Sequence, residues 1–225
     1  MKIAIISDVH ANFPALDAIS NELENVDAII HAGDLIGYNP FPNRTIEIFR
    51  RLQIISVAGN HDRGIKSPDM FNFCTSSLEV LKWTAERLTK ENETYINQLP
   101  IEQQLIIDDY KILVVHGAPN HPNRYIYPTD LTLELIEDVS DEVDMLVWGH
   151  THYPIMTKIE GVILLNPGSV GQPRDGDWRA SYAIFNTTNS SIEFQRREYN
   201  IQTLVNKARK EDFPQQIINS IPKQI

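Results

Sequence analysis

Apolar positions along the chain change period as they go. KIAIIS (2–7) is a short unbroken apolar run suited to a strand buried on both faces, and FPALDAISNELENV (13–26) has helical spacing with Pro14 in its first turn. AIIHAG (28–33), PNRTIEIFRRL (42–52) and QIISVAGN (53–60) repeat the alternation as strand, helix and strand. This order predicts parallel strands joined by helical crossovers, with ligands collecting at the strands' carboxyl ends.

Residues 75–98 predict one helix closed by Pro100, with Leu78, Leu81, Trp83, Ala85 and Leu88 as its apolar contacts. The pattern then shortens. QQLIIDDYKILVVHG reads as a hairpin turning at Asp108 and Asp109, and LTLELIEDV (131–139) as a helix. MLVWGH, YPIMTKIE, VILLNPG, ASYAIFNTT and SIEFQRREY follow as five strands. An α/β half running into a strand-rich half with no linker-like composition predicts one domain over residues 1–225: an α/β fold whose two packed sheets form a sandwich flanked by helices. The helical segment 65–98 is the candidate for shaping a pocket, and residues 200–225 are expected to be a docked helix or a tail.

At 225 residues, 42% hydrophobic and 22% charged, the chain supports one sizeable core. Its formal net charge of -10 lacks the basic footprint of extended nucleic-acid binding, although bound cations would reverse the field locally. The opening MKIAIISDVH is too short an apolar run for a signal peptide, and no stretch approaches the roughly 18 apolar residues needed to cross a bilayer. Cytoplasmic residence without membrane contact is the expectation. The single cysteine, Cys74, rules out an internal disulfide and is expected to be a buried structural thiol.

Polar residues gather where the apolar strands stop. IAIISDVH ends in Asp8 and His10, IIHAGD in Asp34, ISVAGNHD in Asn60, His61 and Asp62, ILVVHG in His116, and LVWGHTH in His150 and His152. Adjacent glycines let the backbone turn sharply there. Asp8 with His10, and His150 with His152, keep a period of two, so each pair is expected to leave its strand on one side. About seven oxygen and nitrogen donors are too many for one tetrahedral zinc and suit two divalent metals sharing a bridge. Imidazole with carboxylate favours Mn, Fe, Zn, Ni or Co, with Mn the first choice. His31, inside an apolar strand, reads as a core histidine. Asn12, Tyr38, Arg63, Arg124 and Arg174 are further candidates for touching substrate.

Taken in order, DVH, GD, GNHD, HG and GHTH resemble the five-block signature of the calcineurin-like metallophosphoesterases, and they span residues 8–152. The resemblance implies a β-sandwich flanked by helices around a dinuclear centre. It implies that Asp8, His10, Asp34 and His152 hold one metal, and that Asp34, Asn60, His116 and His150 hold the other, with Asp34 as the bridge. His61 is the candidate proton donor to the leaving oxygen, with Asp62 orienting its ring. The GD block continues as LIGYNP, without the Asp-Arg-Gly of the protein phosphatase branch, and Ala11 stands where many relatives have glycine.

The expected activity is phosphodiester hydrolysis on a small phosphorylated molecule by metal-activated water. A phosphomonoesterase or dinucleoside polyphosphate hydrolase is the alternative within the class, and a non-catalytic metal-binding scaffold the alternative outside it. A nuclease on long polymers is opposed by the acidic charge.

Overall fold

The computed structural model describes residues 1–137, 139 and 143–221. Its first sheet grows from the predicted alternation. β1 (Lys2–Ile6), β2 (Ala28–His31) and β3 (Ile55–Ser56) run parallel, joined by the crossover helices α1 (Phe13–Leu23) and α2 (Pro42–Arg51). β9 (Ala180–Asn186) lies antiparallel on the free edge of β1 and carries β10 (Ser191–Arg197), giving the order β10-β9-β1-β2-β3.

The second sheet contains β4 (Glu102–Ile107), β5 (Tyr110–Val115), β6 (Met145–Val147), β7 (Pro154–Ile159) and β8 (Val162–Pro167), in the order β4-β5-β6-β8-β7. β5, β6 and β8 are parallel. The β4–β5 hairpin turns at Asp108 and Asp109, whose φ values of 48° and 69° are the paired left-handed conformations of a type I′ turn.

Alternation along β1 sorts the core into layers. Ile3 and Ile5 face the second sheet and pack with Ile30, Val57, Val114, Met145, Val147 and Leu165. Ala4 and Ile6 face outward and pack with Leu16 and Ile19 of α1 and with Ile46 and Phe49 of α2. On the far side of the second sheet, Leu146, Trp148 and Leu164 are covered by Leu135 of α6 (Leu133–Glu137). Each buried aliphatic side chain of this kind contributes about 1.5–3 kcal/mol. The layers are helix, sheet, sheet, helix, as the sequence pattern predicts.

Local differences from that pattern have local causes. The helix expected over 75–98 breaks in two, α4 (Thr75–Ala85) and α5 (Lys90–Asn97), because Thr89 is extended and its side chain accepts from the Asn92 amide as a new N-cap. The third strand is only two residues long, and after three further residues the chain winds into α3 (Asn60–Gly64). Position 138, within the helix expected over 131–139, lies outside the described residues, as do 222–225. The C-terminal segment docks as α7 (Ile201–Lys210) and α8 (Gln215–Ser220), with Phe213 and Ile217 against Val80 and Trp83 of α4. Cys74 is exposed rather than buried. It caps the start of α4 where that helix opens onto a cleft, and its Sγ lies 3.2 Å from the hydroxyls of Ser76 and Ser77.

The sheets touch where β1 and β6 end. A Cβ on Gly149 would stand 2.0 Å from Ser7 Oγ and 2.6 Å from Asp8 Oδ2. Gly149→Ala is therefore expected to cost about 3 kcal/mol by overpacking. Gly161→Ala, with open space around it and φ of 89°, should cost only about 1 kcal/mol of backbone strain. Chemical denaturation of both variants checks this, and equal losses would show that no close approach exists at Gly149.

Candidate metal centre

β1, β2, β3, β5 and β6 present their carboxyl ends to one end of the sandwich. The polar residues sit on the turns just beyond. Asp8, His10, Asp34, His150 and His152 all have left-handed backbone, with φ between 50° and 67°. This conformation costs non-glycine residues on the order of 1–2 kcal/mol each and persists only where surrounding bonds impose it. Here they do: the Asp8 and His10 amides donate to Gly33 O and Asp34 O, both at 2.9 Å, and the His150 amide donates to Asp8 Oδ2 at 3.0 Å. The expected strand-like period of two is thus replaced by tight turns. Ala11 is also left-handed, with φ of 54°, a conformation that glycine would adopt at less cost.

Two groups of buried donors result. Asp8, His10 and His152 form one; Asp34, His116 and His150 form the other. In the first, His152 Nε2 lies 3.1 Å from both Asp8 Oδ1 and His10 Nε2. In the second, His116 Nε2 lies 3.0 Å from His150 Nδ1, 3.1 Å from Asn60 Oδ1 and 3.3 Å from Asp34 Oδ2. The same Asp34 oxygen is 3.6 Å from His10 Nε2, so it faces both groups. The HxH pair divides, His150 to one group and His152 to the other. A third grouping brings His61 beside His10 and Asp34.

The opposite ring nitrogens fix what these atoms are. His10 Nδ1 faces Ile36 O at 3.2 Å, His116 Nδ1 faces Ala32 O at 2.8 Å, His152 Nδ1 faces Gln172 O at 2.6 Å, and His150 Nε2 faces Asn123 O at 3.3 Å. Carbonyl oxygens only accept, so each of these outer nitrogens carries a proton, and in a neutral ring the inward nitrogen is then a bare lone pair. Lone pairs and carboxylate oxygens at 3.0–3.7 Å cannot hydrogen-bond to one another. Donors about 2.1 Å from a shared cation stand roughly 3.0 to 3.4 Å apart, so this donor set fits divalent metal ions.

The electrostatics agree. Burial pushes Asp8 and Asp34 up, but the facing histidines, His152 and His116 foremost, hold both below the usual carboxylate range. Burial holds His10 down and pushes His150 down to about 3. Burial would lower His116 too, yet Asp34 and Asp8 raise it to about 9. A proton on His116 and a divalent cation are alternative ways to neutralise the same anionic pocket.

Two expected roles change. Asp62 does not orient the His61 ring. Its carboxylate accepts the amides of Gly59 at 2.9 Å, Ile36 at 3.0 Å and Leu35 at 3.2 Å, so it ties the loop after Asp34 to the start of α3. Burial and the Asp34 charge raise Asp62 to about 7 against these donors. His61 instead sits among rings, 4.6 Å from Tyr38 and 5.0 Å from both Phe73 and His10, and burial lowers it to about 4. Asn12 is fully buried and fully engaged: its Oδ1 caps α1 at Ala15 N and its amide donates to Gly171 O. It is a structural residue, not a substrate contact.

Arg63 lies over Phe71 at the cleft margin, and the amide of exposed Arg174 donates to His152 O at 3.4 Å. Arg124 is exposed beside a separate surface hollow. His31 is a core residue, bonded to Ser56 Oγ at 2.7 Å and packed on Phe49. Sequence reasoning missed Tyr125, whose ring lies parallel to His150 at 3.8 Å, and Ser7, which donates to Asp8 Oδ2 at 2.6 Å. Ser7 directly precedes a ligand block and could have been read from that; Tyr125 sits in a loop with no signal of its own.

Comparison with known proteins agrees with this geometry. The calcineurin-like phosphoesterase superfamily domain matches residues 1–190. An uncharacterized protein of Methanocaldococcus jannaschii is 36% identical over 235 aligned residues, covering 95% of this chain and 94% of that one. A phosphodiesterase of the same organism is 26% identical over 174 residues, covering 75% of this chain and 83% of the relative. The crystal structure of a metallophosphoesterase from Sphaerobacter thermophilus superposes with a TM-score of 0.83 at 34% identity, covering 98% of each chain. With its ordered ligand blocks at five strand ends and these matches across nearly its whole length, the chain belongs to the calcineurin-like phosphoesterase superfamily.

Proposed function

We propose that this protein is a phosphodiesterase that uses two divalent metal ions, Mn foremost among Mn, Fe, Zn and Ni, to hydrolyse a small phosphorylated molecule. The observation that carries the reading is Asp34 Oδ2, which faces a bare imidazole nitrogen in each of two donor groups. Asp8, His10 and His152 would hold one ion; Asn60, His116 and His150 would hold the other; Asp34 would bridge. Bound there, such ions neutralise phosphoryl charge and lower the pKa of water toward neutrality.

The chain's own groups do the rest. The His61 amide donates to Asp34 Oδ1 at 2.9 Å, which keeps Oδ2 turned to both groups. Carbonyls of Ala32, Ile36, Gln172 and Asn123 hold the four imidazoles in their working tautomers. His61 lines the cleft with its Nδ1 buried and without a hydrogen-bond partner; burial keeps the free ring neutral at pH 7, so to protonate a leaving oxygen it would take up a proton as the phosphate anion binds beside it. Tyr38 packs edge-on against His10 and flanks His61, excluding water from between them.

Elemental analysis of the purified protein should find two equivalents of transition metal, and exhaustive chelation should abolish diester hydrolysis that Mn restores. Activity that survives chelation would overturn the reading. Asp34→Asn should lose metal and at least about a hundredfold in rate, since it weakens both donor groups at once. His31→Gln should keep its metal and lose stability alone; the reverse pattern would mean the bridge is misassigned. His61→Ala should keep its metal and lose about 10²- to 10⁴-fold on an alkyl diester. Its loss on a nitrophenyl diester should be much smaller, because nitrophenolate leaves without a proton. Equal losses on both substrates would assign His61 to positioning instead.

A further inference from the structure

Beside the donor groups lies a cleft of about 480 Å³. His61 and His150 form its inner end, the segment before α4 with Phe71 and Phe73 forms one wall, and Asn123 and Tyr125 stand on the other. Arg63 closes the margin between the walls, its guanidinium over Phe71 and bonded to Asn123 Oδ1 at 3.4 Å.

The two donor groups are not equivalent. With the shared Asp34 counted in both, the first offers an ion a second carboxylate from Asp8, whereas the second has only the neutral amide of Asn60 in its place. It therefore sets less negative charge against a cation. Its support also lies nearer the surface. The carbonyls facing His10 and His116 belong to the fully buried Ile36 and Ala32, and the one facing His152 to the half-buried Gln172. The carbonyl facing His150, at 3.3 Å the longest of the four contacts, comes from exposed Asn123, and residues 122–127 form neither helix nor strand.

What braces His150 in addition is a ring. Tyr125 lies parallel to the imidazole, with centroids 3.8 Å apart and 16° between planes. Among the described residues no other ligand imidazole has a parallel ring on its face. Tyr127 stacks beyond Tyr125 at 5.8 Å, and Ile126 between them is buried in the cluster of Leu135, Leu146 and Trp148. That contact fastens the loop while Tyr125 itself stays 40% exposed. An imidazole that coordinates a cation gives up electron density, so the electron-rich face of the phenol attracts it more than it attracts the free ring. The stack thus favours the filled group over the empty one.

We propose that Tyr125 is a positioning residue that sets how tightly the ion between Asn60, His116 and His150 is held, without acting on the ion between Asp8, His10 and His152. The proposal rests on the two-metal reading. Of the two ions, the one at Tyr125 is the later to bind and the first to be lost.

The test is a calorimetric titration of Mn into the chelated full-length protein. Wild type should take up two equivalents, one tighter than the other. Tyr125→Ala should weaken the weaker equivalent by at least about tenfold, the usual loss when a group supporting a metal ligand is removed, and leave the tighter one unchanged. Tyr125→Phe, which keeps the ring, should restore the wild-type isotherm. The chelated forms of all three should melt at the same temperature, because the ring is exposed. An unchanged weaker equivalent, equal weakening of both, a Tyr125→Phe isotherm like that of Tyr125→Ala, or a lower melting temperature for chelated Tyr125→Ala each overturns the proposal and leaves the two-metal reading intact. Uptake of a single equivalent by wild type overturns the two-metal reading itself, and this proposal with it.

Discussion

Four imidazole nitrogens and two carboxylates turn their lone pairs toward one another in a water-poor interior, and such an arrangement holds together only around positive charge. Much of the upper end of the molecule follows from that constraint. The carbonyls that accept from the outer ring nitrogens must be placed, so the loop carrying Ile36 O is pinned by Asp62, and Asn39 of the same loop donates to His10 O. The ligands must sit past the strand ends rather than on them, so the backbone accepts five left-handed residues there. The glycines at 59 and 149 exist because Asp34 and Asp8 come too close to tolerate a side chain. Local strain and electrostatic repulsion are concentrated in one place, and the apolar layers below supply the stability that offsets them.

Much of this was legible in the sequence. Strand runs buried on both faces, such as KIAIIS, announce a covered parallel sheet, and ordered polar residues after five such runs announce the site. The grouping of the ligands was legible through the family resemblance but not from the spacing alone. A period of two suggested that His150 and His152 act on one side, but residues with φ above 60° turn the chain between them and send each ring to a different group. The role of Asp62 was invisible for a similar reason, since its partners Leu35 and Ile36 are 27 and 26 residues away and only the fold brings them together. Tyr125 was missed because a loop aromatic has no periodicity to mark it.

The wall opposite Tyr125 is held from outside. Residues 71–74 form neither helix nor strand, and α4 behind them packs through Val80 and Trp83 on the α7–α8 segment, where Trp83 Nε1 donates to Glu211 O at 3.1 Å. The C-terminal helices therefore act on the cleft without lining it. Two helices that read in sequence as a possible tail are a buttress for the part of the molecule that meets substrate.

β1 pairs with β2 on one edge and with β9, about 180 residues later, on the other. On the ribosome the first strand therefore leaves long before its second neighbour exists, and loop closure over that distance is entropically slow. His152 is made 142 residues after its neighbour His10. Until His150 and His152 are made the nascent protein lacks two of its seven donors, and tight retention of a metal ion has to wait until the last strands have closed the sandwich.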